Sequence, residues 1–375
     1  MPFSGILGHK EIVENLRNMI DSGRMPHAVL FCEKAGYGAL QLALATIEYM
    51  FCSQRQGGDS CGKCPNCIKN TKLVHPDVHF SFPINASTLI GGDKRGEVEM
   101  FYPAWRELVR ENAYFNEQEL CKAFGIENKL GTISVAEANS IMRKLSLSSY
   151  EGGAKVMLIM FPERITIEAA NKLLKSLDEP QDGTYYFMVS HNPGKIIATI
   201  LSRCRIIEVP PIESALLEQE LTERLHLNPE EARFWARCAG GSLGKAIGLV
   251  SRERDEEGKR PMFVEILGKA LEKDLPALME LWEEIASYGK EAQRGLCLEG
   301  GEILRKIYMM SVGLDEISYA SAKEREMFRN LSGRIKPDFY RKGYGYLTNA
   351  LECIERNVNP KFIFCDLCNR IFYNI

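Results

Sequence analysis

Four cysteines fall within sixteen residues of one stretch, CSQRQGGDSCGKCPNCIKN, at Cys52, Cys61, Cys64 and Cys67. Two overlapping C-x2-C pairs, a fourth sulfur nine residues upstream, and glycines and a proline for tight turning can close a tetrahedron of thiolates around Zn²⁺. All four ligand positions would then belong to the protein, so the spacing predicts a structural zinc. An iron–sulfur cluster is the lesser metal option, because Lys63 and Asn66 inside the pairs carry no redox signal; free thiols on a loop are the bland one. Cys365 and Cys368 read differently, since Phe364, Cys368 and Ile371 share one helical face and free cysteine packs as a small hydrophobe. His75 and His79, on either side of a proline in HPDVHF, read as surface or capping groups without a ligand role.

A second stretch, VLFCEKAGYGALQLA (29–43), has the layout of a phosphate loop: an apolar strand, a glycine-bearing turn, then a helix. The gripping residues are missing. If Gly38 is the last glycine of G-x-x-x-x-G-K-[ST], the first glycine has become Glu33, the lysine Ala39 and the Ser/Thr Leu40, leaving Gly36 and Gly38 as the turn. By itself so degenerate a match is better read as an ordinary strand-to-helix turn. No productive ATP binding is expected from it, because a lysine on the β- and γ-phosphates and a hydroxyl on Mg²⁺ are both lost.

These stretches sit in a chain of 375 residues, long enough for two or three domains with cores of their own. Hydrophobic residues are 45% and charged residues 26%, an ordinary globular balance. A net charge of −3 gives no overall attraction to nucleic acid or anionic membrane, so DNA contact would need a local patch or a partner. No basic leader with an apolar core and no 18-residue apolar run is present, which predicts a cytoplasmic protein whose twelve cysteines are thiols or metal ligands. Strands are expected at 27–31, 155–160, 184–190 and 204–211, alternating with helices over 10–24, 132–146 and 166–180; Ser134 and Glu137 have capping-box spacing. That alternation predicts a parallel-sheet α/β domain over 1–210. After Pro210-Pro211 the pattern is helical: a small domain over 211–258, with SRERDEEGKR (251–260) as a linker, then an all-helical domain over 259–375.

Several motifs coincide: HAVLF before the defective loop, the four cysteines, HPD, ANKLLKSLDEP, ILSRCRIIEVPP and GGSLGKAIGLV. Together they resemble the delta-prime family of bacterial DNA polymerase III clamp-loader subunits. The likeness covers residues 3–80 and 131–250; about 81–130 has no counterpart and reads as an insertion whose PAWRELVRENAYF segment suggests a helix. It implies a non-hydrolysing AAA+ member with an α/β domain, a helical lid and a helical collar, partnered by gamma/tau-type motor and delta-type subunits in a ring that loads the sliding clamp onto primed DNA. It also implies that Met160 and Phe161 stand where metal-binding acids would be, that Gly244 replaces a nucleotide-sensing arginine beside Lys245, and that Arg203 of the SRC motif (202–204) is an arginine finger acting on a neighbouring subunit's ATP. Without the resemblance, Arg203 is a surface arginine pairing with an acid such as Glu208.

Two rivals keep their own signatures. An active ATPase motor subunit would need a lysine at position 39 or an equivalent supplied elsewhere. A zinc-containing DNA-binding protein would use GRIKPDFYRKGYGY (333–346), whose Arg334, Lys336, Arg341 and Lys342 lie beside Phe339, Tyr340, Tyr344 and Tyr346; buried aromatics under a solvated charged face are the favoured reading there.

Overall fold

Strand β1 (Ala28–Cys32) is buried along its whole length, as a strand covered on both faces must be. The protein, seen here in a computed structural model, is described for residues 2–91, 96–126, 131–151, 153–255 and 260–375. β1 joins β2 (Val78–Ser81), β3 (Lys155–Met160), β4 (Thr184–Ser190) and β5 (Arg205–Glu208) in one sheet, order β2-β3-β4-β1-β5, with every pairing parallel. The expected parallel α/β class is therefore observed. β2 is an addition to the four strands read from sequence, pairing Val78 with Val156.

The two-residue period of each strand divides its side chains between two cores. Val29, Phe31, Val156, Leu158, Met160, Phe187 and Val189 enter one; Ala28, Leu30, Met157, Ile159, Tyr186 and Met188 enter the other. The first face is covered by α1 (Lys10–Asp21) and α2 (Ala39–Phe51). α3 (Pro65–Thr71) carries the last cysteine of the cluster. The insertion also packs on this face. Its helices α4 (Tyr102–Glu111) and α5 (Glu117–Ala123) place Phe101, Trp105, Phe115, Leu120 and Phe124 in the same core as β1 and β3. It is thus part of the domain's interior, although 92–95 and 127–130 of its expected span lie outside the described residues.

The opposite face is covered by α6 (Val135–Ser146), α7 (Ile167–Asp178) and α8 (Ala198–Leu201). Ser134 caps α6 without a side-chain hydrogen bond, so the capping box anticipated there does not form; Thr166 does cap α7, accepting from the Ala169 amide. α9 (Ser214–Leu225), α10 (Pro229–Ala239) and α11 (Leu243–Asp255) then build a small helical core around Leu217, Leu221, Ala232 and Leu243. α11 carries residues 251–255 of the anticipated linker as helix, and 256–259 lie outside the described residues.

By internal contacts the chain divides into two units, Met1–Val250 and Ser251–Ile375. The second is helical among its described residues: α12 (Met262–Glu272), α13 (Leu275–Ser287), α14 (Lys290–Ser311), α15 (Asp315–Ser318), α16 (Ala322–Ser332), α17 (Pro337–Glu355) and α18 (Pro360–Asn374). Phe263, Phe328, Phe339 and Phe364 fill its core together with Cys368, which is the packing role anticipated for that cysteine.

Candidate functional site

In an open parallel sheet, ligands bind beyond the carboxyl ends of the strands, where neighbouring strands send their chains to opposite faces. Here that place lies between β1, which leads to α2 on one face, and β4, which leads to α8 on the other. The loop of residues 33–38 occupies it. Gly36 (φ +87°) and Gly38 (φ +115°) take conformations that suit glycine, which lets the chain turn sharply into α2.

The amino end of α2 points unpaired amides at this crevice, a natural seat for an anion. Glu33 fills it. One carboxylate oxygen accepts from the Ala39 amide at 2.9 Å, the other lies 3.1 Å from Nε2 of His191 at the end of β4, and the residue is buried. The loop is therefore held by a side chain of its own, in the position where a phosphate would be gripped. Ala39 and Leu40 are buried in the first core, and so are Met160 and Phe161 at the end of β3, so apolar side chains stand at the positions where a lysine, a hydroxyl and metal-binding acids were sought. Glu163, just past β3, is the nearby acid that sequence reasoning passed over. It accepts from the Ser190 hydroxyl at 2.8 Å and from the His191 and Asn192 amides at 3.2 and 3.1 Å, so it tethers the end of β4.

The loop is also sewn to the helices that follow the sheet. Ser242 Oγ donates to the Ala35 carbonyl at 2.8 Å, and the Leu243 amide at the start of α11 donates to the Gly36 carbonyl at 3.0 Å. Gly244 lies against this seam with no side chain to offer, and Lys245 is exposed.

A second cluster gathers Cys52, Cys61, Cys64 and Cys67. Cys52 ends α2, Cys64 is the N-cap of α3 with Pro65 behind it, and Gly57, Gly58 and Gly62 turn the intervening chain at positive φ. The four sulfurs lie within 4.8 Å of one another, with Cys61 and Cys67 Sγ at 4.0 Å. A tetrahedron of Zn–S bonds of ~2.3 Å has edges of ~3.8 Å, so the donors match in kind and spacing. Amides of Cys61 and Cys64 donate to Cys52 and Cys61 sulfurs at 3.2 and 3.3 Å, which favours thiolates. Burial opposes ionisation of Cys64, yet the Cys67 and Ser53 amides outweigh it and bring that thiol down to about 6; burial, then the Cys64 and Cys52 thiols, push Cys67 upward. Thiols so close cannot all ionise unaided, and a shared cation removes the conflict. These four cysteines can hold one metal ion. His75, read from sequence as a surface or capping group, is buried and not at the surface, and it caps the local chain, its Nδ1 accepting from the Asp77 amide at 3.2 Å.

Arg203 follows α8 at the entrance to β5. Its acid partner is Asp178 at the end of α7: Nε and Nη2 engage the two carboxylate oxygens at 2.5 and 2.9 Å, and Nη1 donates to the Thr199 carbonyl at 2.8 Å. This ion pair holds the Asp178 carboxyl below the usual range and raises Arg203 further. Ser202 is exposed and Cys204 packs against the second core, burial pushing its thiol up to about 11.

In comparison with known proteins, residues 8–213, more than half of the chain, match the family model described as DNA polymerase III, delta subunit. The chain belongs to this polymerase III subunit family. The chain is similar to proteins named DNA polymerase III subunit delta'. It is 25% identical to that of Bacillus subtilis (strain 168) over 248 residues, 66% of this chain and 61% of the relative. With that of Escherichia coli (strain K12) it shares 28% over 236 residues, 63% of this chain and 58% of the relative. DNA polymerase III subunit tau of Escherichia coli (strain K12) is 22% identical over 255 residues, 67% of this chain and 32% of the relative. The matched part thus spans about three fifths of the delta' relatives. Among the described residues of this polymerase III family member, no helix is long and apolar enough to cross a membrane.

Proposed function

We propose that this chain is a non-hydrolysing subunit of a DNA polymerase III clamp loader, helping to place the sliding clamp on primed DNA while a neighbouring motor subunit hydrolyses ATP. The observation that carries the non-hydrolysing part is the Glu33 carboxylate on the Ala39 amide at the head of α2. A site that seats its own anion, with Ala39, Leu40, Met160 and Phe161 buried as apolar neighbours, lacks at those positions the lysine, hydroxyl and acids that a triphosphate and its magnesium would use. In this reading, residues 1–210 are an AAA+-type domain, 211–258 its lid and 259–375 the collar that joins motor and delta-type partners. Cys52, Cys61, Cys64 and Cys67 hold a structural zinc. A motor-subunit reading lacks its lysine, and a DNA-binding surface on 333–346 is weakened because Phe339 and Tyr340 are buried.

Arg203 is then the group that acts in trans. Asp178 fixes the guanidinium in its plane, and Nη2 keeps a second hydrogen for an anion supplied from outside. Fingers of this kind can be worth roughly 10³–10⁵ in rate at one site, diluted here because only one site of a ring is served. The test is reconstitution with gamma/tau-type and delta-type subunits. Arg203→Ala should leave folding and assembly near normal while lowering clamp- and DNA-stimulated ATP turnover and clamp loading; loading at the wild-type rate would return Arg203 to the surface reading. Failure to co-purify with those subunits would remove the clamp-loader reading altogether.

A further inference from the structure

Where α4 gives way to α5, residues 111–115 form a strap that crosses the seam between the loop of residues 33–38 and the helices α9 to α11. A Cβ added to Gly244 would lie 2.1 Å from the Tyr114 carbonyl oxygen, so the strap's backbone rests directly on the start of α11. On the other side, the Tyr114 ring stands 3.5 Å from where a Cβ on Gly38 would be, and a Cβ on Gly36 would meet Ser242 Oγ at 2.5 Å. The ring also packs with Leu7, Leu216, Trp235 and Ile247 against the small helical core. Burial, then Glu220 and Glu33 nearby, push the Tyr114 phenol up to about 12, with Arg224 opposing. Both flanks of the strap are anchored: Arg224 of α9 donates to the Glu111 carbonyl at 3.2 Å, and Phe115 meets Trp105 edge-on at 5.6 Å.

We propose that the strap and Glu33 form an internal plug, Glu33 seated at the Ala39 amide at the head of α2 and Tyr114 filling the space over it, which holds α9–α11 on the sheet with no ligand present. The identity of residue 244 follows from it. A side chain there would collide with the strap, so glycine is the one residue the plug admits. The plug is a property of the isolated chain and stands whether or not the chain works in a clamp loader.

Hydrogen exchange on the full-length protein tests it, with Tyr114→Ala, Tyr114→Phe and Glu33→Ala beside the wild type. The wild type should exchange identically over residues 33–45 and 212–250 with and without 5 mM MgATP, about saturating for an ordinary nucleotide site. Tyr114→Ala should speed exchange over 240–247 at least ~10-fold, because local opening there no longer has to displace the ring. Tyr114→Phe should behave as wild type, since packing and not the hydroxyl is invoked. Glu33→Ala should speed the Ala39 amide by roughly 10–100-fold, the worth of a hydrogen bond to a charged group. Protection of the wild type by MgATP, or unchanged exchange over 240–247 in Tyr114→Ala, overturns the plug. Should Tyr114→Ala not fold, the MgATP comparison and Glu33→Ala decide: an unchanged Ala39 amide would equally refute it.

Discussion

Trp105 decides whether the insertion is an appendage or part of the interior. Its indole is fully buried, with ring centroids 5.9 Å from Phe80, 5.2 Å from Phe82 and 5.6 Å from Phe115, so it joins β2 to the base of the strap. Burying ~200 Å² of indole at ~25 cal/mol/Å² contributes about 5 kcal/mol. Against this, the ring N–H has no hydrogen-bond partner among the described residues, which costs about 1–3 kcal/mol. The net loss for Trp105→Ala should be ~2–4 kcal/mol, on the lower side of the usual ~3–5 kcal/mol for removing a buried Phe or Trp. Trp105→Phe should cost within ~1 kcal/mol of nothing, because lost area and the vanished unpaired donor offset each other. Guanidinium unfolding followed by fluorescence can measure both. Trp235 on α10 reports the first unit and Trp282 on α13 the second, so a Trp282→Phe background leaves Trp235 as an uncontaminated probe. The comparison must be made at unchanged denaturant dependence, since a shifted slope would mean the two-state treatment has failed. An unaltered midpoint in Trp105→Ala would show that the insertion does not support the sheet, and an equal loss in Trp105→Phe would refute the role given to the unpaired N–H.

Metal analysis of freshly prepared protein should find one zinc per chain, and Cys67→Ser should abolish it while the far-ultraviolet signal of the sheet domain survives, since that domain has its own core. Ala39→Lys should not restore ATP turnover, because a lysine there meets Glu33 before any phosphate and the magnesium ligands are still absent; turnover at a motor subunit's rate would contradict the account. Asp59 ties the cysteine loop to the chain start by accepting from the Phe3 and Ser4 amides, both at 2.8 Å. Burial raises its carboxyl, but those amides outweigh burial and hold it below the usual range. A depressed carboxyl stabilises above its unfolded value of ~4 and loses that contribution as pH falls through the folded one. The stability gap between wild type and Asp59→Asn, measured by thermal melts, should therefore be constant above about pH 5 and shrink below pH 4; a gap that widens on acidification would reverse the sign.

What could be read from the chain was what short range determines. β1, β3 and β4 are apolar runs bounded by turns, and four sulfurs in sixteen residues can meet because Gly57, Gly58 and Gly62 let the short loop between them fold back on itself. β2 was missed because its four residues include His79 and follow Pro76-Asp77, which read as turn. The partner of Arg203 was misassigned for a geometric reason. Glu208 is five residues away along an extended strand, ~16 Å of chain, whereas Asp178 is brought beside it by the packing of α7 against α8.

The same limit explains why the loop's losses were legible and its replacement was not. Missing side chains at 39 and 40 are visible in a motif, but what fills the gap comes from His191, 158 residues beyond Glu33, and from Tyr114 in a segment with no recognised pattern. A working phosphate loop leaves its anion seat open so that the ligand can couple the loop to the helices around it. This chain makes both connections from its own residues, Glu33 to the Ala39 amide and Tyr114 to Gly244, and so needs no ligand to hold one arrangement. In the proposed plug, nucleotide would have no coupling free energy to supply, because a ligand shifts an equilibrium only by its differential affinity for the two states. Under the proposed function, a subunit built this way would present Arg203 in one fixed place while its neighbours cycle, and the residues of the plug would stand in the place of catalytic groups.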